Sequence, residues 1–320
     1  MNSFLERLGR AIRRLLSGLG RAAPPLGPDQ WTDGTFSQQG RAIAYKLFVP
    51  ARGTGTPRPL VVMLHGCTQN PEDFATGTGM NRLAAERGFL VLYPAQSPRA
   101  NAGKCWNWFI TQHQRADRGE PALLAALTRE VIDLHAADPG RVYVAGLSAG
   151  GAMADILGRT HPELFAAVGV HSGLTAGAAH DLMSALAVMK DGPAAAPADA
   201  PAVGPAPPTI VFHGDADGTV HPLNGERVVA AALAQREGGA AVPQQSEGRS
   251  PQGQAFTRRQ YADARGRIDV EAWLLHGAGH AWAGGSAAGS FTDPAGPDAS
   301  AEMLRFFLAH PMPKRADKDR

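Results

Sequence analysis

The chain alternates short, densely apolar runs with stretches whose apolar residues recur every three or four positions. Residues 41–49 (RAIAYKLFV) alternate apolar and polar side chains, which predicts an early strand with one buried face. Residues 59–65 (PLVVMLH), 89–93, 141–145, 165–170, 209–212 and 270–275 are continuous apolar runs of strand length. Runs of this kind fit strands covered on both faces. Residues 80–87, 121–136, 149–159, 223–236 and 299–310 carry helical spacing between them. Strand and helix in turn build βαβ units, so the expected fold class is α/β, with a mainly parallel central sheet and helices on both faces. The strand at 41–49 is expected as an antiparallel edge.

Two segments break this rhythm. Residues 176–208 hold a short helical piece and then turn Ala/Pro-rich, the pattern of an insertion or mobile cap. Residues 236–254 are polar and rich in Gly and Gln, the pattern of a surface loop. The expected organisation is a basic amphipathic helix at 1–22, a linker at 23–38 that opens Pro/Gly-rich, a single domain at 39–312 and a charged disordered tail at 313–320. There is no internal repeat.

The first segment places Phe4, Leu5, Leu8, Ile12, Leu15, Leu16 and Leu19 among Arg7, Arg10, Arg13, Arg14 and Arg21. Arginine interrupts every apolar stretch, so no signal-peptide core and no small-residue cleavage site is expected. A basic amphipathic helix suits an anionic or apolar surface. The plainer alternative is a helix packed on the body of the protein, or a frayed end.

Composition narrows the classes. With 320 residues, 44% of them apolar, one large core can form. A formal net charge of +2 excludes a nucleic-acid footprint, and no basic cluster is interleaved with aromatics. Two cysteines exclude a disulfide scaffold and a cysteine-based zinc site. No run reaches the roughly 18 apolar residues of a membrane span. Oligomeric state leaves no mark on the sequence.

The chemistry centres on Gly146-Leu147-Ser148-Ala149-Gly150, between an apolar strand run and a small-residue helix. Gly-x-Ser-x-Gly in that setting is a nucleophile elbow, a sharp strand-to-helix turn that lifts the serine hydroxyl from the sheet edge. A serine hydroxyl needs a base, and the base needs an orienting carboxylate. Both belong past the carboxyl ends of later strands. After the run at 209–212 come Asp215 and Asp217. Asp217 is the better acid, because the chain must clear the strand end before turning back; Asp215 is expected to fix the turn. After the run at 270–275 come His276 at the strand end, expected to be structural, and His280 in a Gly-flanked turn, expected to be the base.

An oxyanion requires two donors. The N–H of Ala149, the residue after the nucleophile, is one. The N–H of Cys67, in the loop after the 59–65 run, is the other. Cys105 is the remaining cysteine, so Cys67 and Cys105 are either a disulfide that pins the oxyanion loop or two reduced thiols. Trp106, Trp108 and Trp282 lie in loops tied to this region and are expected to present indole surface to an apolar substrate, against the alternative of core filling.

Five ordered motifs carry a resemblance: Leu64-His65-Gly66-Cys67-Thr68-Gln69, Cys105-Trp106-Asn107-Trp108-Phe109, the stretch from Ala145 through Ser148 to Met153, His213-Gly214 through Asp217 to Val220, and Gly279-His280-Ala281-Trp282. Together they resemble the esterase family of poly(3-hydroxybutyrate) depolymerases, with its related feruloyl and acetylxylan esterases, over residues 40–309. The resemblance implies an α/β-hydrolase fold and carboxylic ester hydrolysis through an acyl-enzyme, with no metal or organic cofactor. It maps nucleophile, acid and base onto Ser148, Asp217 and His280, and an oxyanion donor onto Cys67.

Secreted polymer-degrading members carry a signal peptide, a linker and a separate substrate-binding domain, and none is evident here. The sequence looks more like intracellular members that act on amorphous granules or soluble oligomers. That implies a cytoplasmic, granule-associated placement, with the 1–22 helix docking on the polyester granule. Export by a route not evident in the sequence is the alternative. Two other functions remain open: a small-molecule carboxylesterase for feruloyl, acetyl or aryl esters, and a non-catalytic granule- or surface-binding protein.

Overall fold

The computed structural model describes residues 28–51, 57–193, 206–234 and 242–313. The amphipathic segment at 1–22 and the tail beyond residue 313 lie outside the described residues, as do residues 194–205 of the expected cap.

The apolar runs form the middle of one sheet. Strands β3 (Arg58–Leu64), β4 (Leu90–Ala95), β5 (Ala137–Leu147), β6 (Ala167–His171), β7 (Thr209–Gly214) and β10 (Ile268–Leu275) are mutually parallel. On one side the sheet continues through the antiparallel strands β2 (Arg41–Val49) and β1 (Gln30–Gln38). On the other it continues through β9 (Ala255–Ala262) and β8 (Gln244–Arg249). The order is β1-β2-β4-β3-β5-β6-β7-β10-β9-β8.

Side-chain alternation along the strands divides the core in two. In β3, Leu60, Val62 and Leu64 enter one layer, and Val61 and Met63 enter the other. The first layer is closed by α3 (Gly119–His135), α4 (Ala149–Thr160) and α6 (Leu223–Ala234). The second is closed by α1 (Pro71–Thr78), α2 (Met80–Arg87) and α7 (Ala299–Leu308). Both faces of the parallel strands are covered, which is why their sequence reads as unbroken apolar runs.

Two expectations change. The segment 23–38, read as a linker, is strand from Gln30 onward, because its backbone pairs with β2 from Gln30↔Val49 to Gln38↔Arg41. The segment 236–254, read as a surface loop, contains β8, whose side chains are polar and which exists through its pairing with β9. Within 176–208 the expected short helical piece is α5 (Leu182–Asp191), a capped helix fastened to the start of α6, and residues 194–205 of the Ala/Pro-rich stretch after it lie outside the described residues. Asn224 Nδ2 donates to Val188 O at 2.8 Å, and the His221 N–H donates to Met189 O at 2.7 Å.

Candidate active site

The carboxyl ends of β3, β5, β6, β7 and β10 share one rim, and every sequence-predicted catalytic residue lies on it or just beyond it. Ser148 sits between β5 and α4 with φ 58° and ψ −121°. A non-glycine residue with positive φ costs on the order of 1–3 kcal/mol and persists only where its surroundings enforce it. Here they do. A Cβ on Gly150 would stand 2.0 Å from Leu64 O, and one on Gly146 would stand 2.4 Å from the Gly150 carbonyl. Both glycines therefore let the elbow press against β3. The Ser148 N–H donates to His171 O at 2.9 Å, and Ser148 O accepts the Ala152 N–H at 2.9 Å. Among the described residues no hydrogen bond ends on Ser148 Oγ.

Asp217 and His280, 63 positions apart in sequence, are in direct contact: His280 Nδ1 lies 2.7 Å from Asp217 Oδ2. The other carboxylate oxygen, Oδ1, accepts the N–H groups of Thr219 and Val220, each at 2.9 Å. The Asp217 side chain is fully buried. Burial alone would raise its pKa, but the hydrogen bonds from His213 and His280 outweigh it and hold the carboxyl far below the usual carboxylate range. Asp217 is thus kept as an anion facing the imidazole.

Asp215 takes a separate partner. Its Oδ2 lies 2.9 Å from His276 Nδ1, and its Oδ1 accepts the Gly277 N–H at 2.6 Å. His276 Nε2 lies 2.8 Å from Thr257 Oγ1. This chain ties the ends of β7, β9 and β10 together beside the site.

The loop after β3 is fixed from several sides. The Gly66 N–H donates to Gln69 Oε1 at 2.9 Å, and the Thr68 N–H donates to Gly103 O at 2.7 Å. Cys67 and Cys105 form a disulfide, with Cα atoms 4.2 Å apart. Among the described residues the Cys67 N–H has no hydrogen-bond acceptor. Ala149 is the first residue of α4, where a helix leaves N–H groups unpaired. A Cβ on Gly66 would lie 3.6 Å from Ser148 Cβ, so this loop and the elbow are neighbours.

The three tryptophans are where the structure departs from the expectation of exposed indoles. Trp106, Trp108 and Trp282 are all buried, at 0%, 4% and 1% exposure. Trp106 Nε1 donates to His65 O at 3.1 Å, and Trp282 Nε1 donates to Ser300 Oγ at 3.0 Å. Trp108 packs edge-on to Phe109. Indole N–H groups that find internal acceptors can be buried without penalty, and these rings support the loops from beneath.

Several residues that hold the site together were not visible as such in the sequence. His171, at the end of β6, gives its carbonyl to the Ser148 N–H and its Nε2 to the Ala283 N–H, the latter at 3.0 Å. It thereby links the elbow to the loop that carries His280. Complete burial pushes its pKa down to about 3, so the ring is neutral and free to accept. Gln69 braces the Cys67 loop and donates through Nε2 to Asp73 Oδ2 and Ser290 O, each at 3.1 Å. Buried Glu120 accepts from the Asn107 N–H at 2.7 Å and from Gln96 Nε2 at 2.6 Å, anchoring the segment after Cys105. The only sequence signal for these roles was proximity to the motifs.

Comparison with known proteins follows the same lines. The family model described as esterase PHB depolymerase matches residues 43–242, a span that contains Cys67, Ser148 and Asp217 and ends before His280. Poly(3-hydroxyalkanoate) depolymerase C of Paucimonas lemoignei is 32% identical over 231 residues, covering 69% of this chain and 54% of that protein. A probable acetylxylan esterase A of Neosartorya fischeri is 31% identical over 195 residues, covering 56% of this chain and 51% of that protein. The matches thus span about half the length of these curated relatives. Among solved structures, an acetyl xylan esterase from Aspergillus awamori superposes with a TM-score of 0.67 at 19% identity, covering 87% of this chain and 99% of the other. That likeness, with the parallel sheet, establishes the α/β-hydrolase fold.

Proposed function

The chain belongs to the PHB depolymerase esterase family, and from that membership we propose that it is a serine carboxylic ester hydrolase acting on poly(3-hydroxybutyrate)-type polyester or its oligomers. The observation that carries the reading is the 2.7 Å contact between His280 Nδ1 and Asp217 Oδ2 on the rim that bears the Ser148 elbow.

In this reading His280 Nε2 takes the proton of Ser148 Oγ as the oxygen attacks the ester carbonyl. Asp217 fixes the imidazole tautomer and stabilises the imidazolium that forms. The N–H groups of Cys67 and Ala149 bind the oxyanion, each contributing about 3 kcal/mol to the transition state. The C–O bond to the alcohol breaks, and the imidazolium gives the alkoxide its proton. Water, deprotonated by His280, then cleaves the acyl-enzyme and frees Ser148. Among the described residues Ser148 Oγ has no hydrogen bond, and catalytic hydrogen bonds often tighten only with substrate present.

A small-molecule carboxylesterase is the second reading, supported by relatives named acetylxylan esterases at similar identity. Turnover of a 3-hydroxybutyrate trimer, compared with methyl ferulate and an aryl acetate, separates the two. A non-catalytic surface-binding protein predicts no hydrolysis of any ester, and unchanged polymer binding by Ser148→Ala. The amphipathic segment at 1–22 is proposed to dock on the granule. Clearing of amorphous polymer should then slow when residues 1–22 are deleted, with soluble-ester turnover unchanged. Equal clearing by both proteins would discard the docking role.

A further inference from the structure

His213 is the last but one residue of β7, 3% exposed, and stands beside the acid rather than the base. Its Nε2 lies 2.8 Å from Val220 O and 3.4 Å from Asp217 Oδ2. A carbonyl can only accept, so Nε2 carries the proton and gives it to Val220 O, with the carboxylate oxygen beside it. The Val220 peptide is therefore held from both sides. Its N–H goes to Asp217 Oδ1 and its carbonyl to His213. One imidazole spans the two ends of the loop whose middle residue faces His280.

Among the described residues the opposite edge of the ring has no hydrogen bond: His213 Nδ1 is buried without a partner there. It lies against the first turn of α6, where a Cβ on Gly225 would stand 2.6 Å from Nδ1. The ring also borders a cavity of about 260 Å³ lined by Val211, Val229, Leu233, Ala272 and Trp273. Packing on that side is incomplete. The Nε2 bond and the close approach of Gly225 are what set the ring's position.

We propose that His213 is a positioning residue: by bridging Val220 O and Asp217 Oδ2 from the floor of the loop, it holds Asp217 in register with His280. The inference rests on the reading of Asp217 and His280 as the working acid–base pair, but it makes a structural claim that can be read without substrate. A short imidazole–carboxylate hydrogen bond gives its Nδ1 proton a strongly downfield NMR resonance, which reports the His280–Asp217 contact directly.

The full-length protein, His213→Leu, His213→Gln and Gly225→Ala are compared by that resonance, by kcat and KM on a soluble ester, and by near-ultraviolet circular dichroism for folding. His213→Leu removes the donor. It is expected to lose or shift the resonance and to lower kcat roughly 10- to 100-fold, with KM changed by less than about threefold, the pattern of a misplaced catalytic group. His213→Gln places an amide N–H near the position of Nε2 and restores both readouts to near the wild-type level. Gly225→Ala suits a helix, yet it forces the ring to move, and it should behave like His213→Leu even if the leucine protein fails to fold.

Retention of the resonance and of kcat in folded His213→Leu overturns the proposal. So does equal damage from Leu and Gln, which would mean that the ring only fills space. Absence of the resonance from the wild type removes its ground altogether. A wild type that shows the resonance, loses it in His213→Leu and hydrolyses no ester would leave the positioning role standing and overturn the esterase reading instead.

Discussion

Gln69 Oε1 accepts the N–H of Gly66 at 2.9 Å, one residue before the proposed oxyanion donor Cys67. The same side chain reaches across 221 positions to Ser290 O through Nε2. The loop proposed to hold Cys67 N–H toward the substrate is therefore braced by this side chain, beside the disulfide and the Thr68–Gly103 bond, rather than by regular secondary structure. Gln69→Leu keeps the volume and removes these bonds together with the one to Asp73 Oδ2. A buried N–H left without an acceptor costs about 1–3 kcal/mol. We expect that loss in urea unfolding, together with a fall in kcat of roughly tenfold from a displaced oxyanion donor. Unchanged kcat in the folded variant would show that Gln69 does not set the donor's position.

Asp217→Asn tests the acid. The amide preserves shape, but its NH2 can face His280 Nδ1, which favours the wrong imidazole tautomer. A kcat loss on the order of 10⁴ is expected, together with some loss of stability, because the fold favours the ionised carboxyl. By contrast Asp215→Asn, which disturbs the His276 contact, should leave most of the activity. Parallel rate measurements on both variants assign the acid, and a larger loss at Asp215 would reverse the assignment.

The Cys67–Cys105 disulfide closes a loop of sequence separation 38. Cross-links of this span stabilise by about 2–4 kcal/mol, mainly by restricting the unfolded chain. Cys105→Ser should lower stability by that order and depress kcat, since Cys67 then loses one of its restraints. Treatment of the wild type with reductant should act in the same direction. Rates that do not respond to reduction would show that the remaining hydrogen bonds suffice to hold the loop.

Stability should depend on acid in a defined window. Burial pushes His65 to about 4 and His171 to about 3, against a value of about 6.5 in the unfolded chain. Below about pH 6.5 the unfolded chain takes up protons that these two rings refuse in the fold. Stability is then present above that pH and declines as pH falls toward 4. The slope is roughly 1.4 kcal/mol per pH unit for each histidine fully in the window. His161 and His310, also lowered by burial, act in the same sense. Denaturant midpoints measured from about pH 7 to about pH 4.5 read the slope, and a flat profile would contradict the buried neutral rings.

Trp106→Phe separates support from substrate contact. The indole N–H holds His65 O, so its loss should cost about 1 kcal/mol in stability. KM for soluble esters should stay within twofold or so, because the ring does not face solvent. A large rise in KM would return Trp106 to the substrate surface.

The parallel strands that sequence reading found are those buried on two faces. β3, β4, β5, β6, β7 and β10 declare themselves because both core layers demand apolar side chains from them. The order Ser148, Asp217, His280 was legible for a related reason, since each follows one of those strands. β1 and β8 escaped because their side chains are mostly exposed and their existence rests on backbone pairing, which leaves little trace in composition. His171, Gln69 and His213 escaped because each bonds a backbone group, and backbone groups leave no mark in side-chain pattern; for His171 and Gln69 that group lies more than 100 positions away. The tryptophans were expected to be exposed because they lie in loops near the site, while the acceptors that permit burial of Trp106 and Trp282, His65 O and Ser300 Oγ, come from elsewhere in the chain.

The outermost strands have a further consequence. β1 and β8 end the sheet with sequences QWTDGTFSQ and QQSEGR, and among the described residues each has one row of peptide groups unpaired by a further strand. A second molecule seeking to extend the ladder would have to dehydrate glutamines, Asp33, Glu247 and Arg249 to gain those bonds. Such polar borders discourage lateral growth. Crowding of many copies at one location should therefore not seed fibres through these edges.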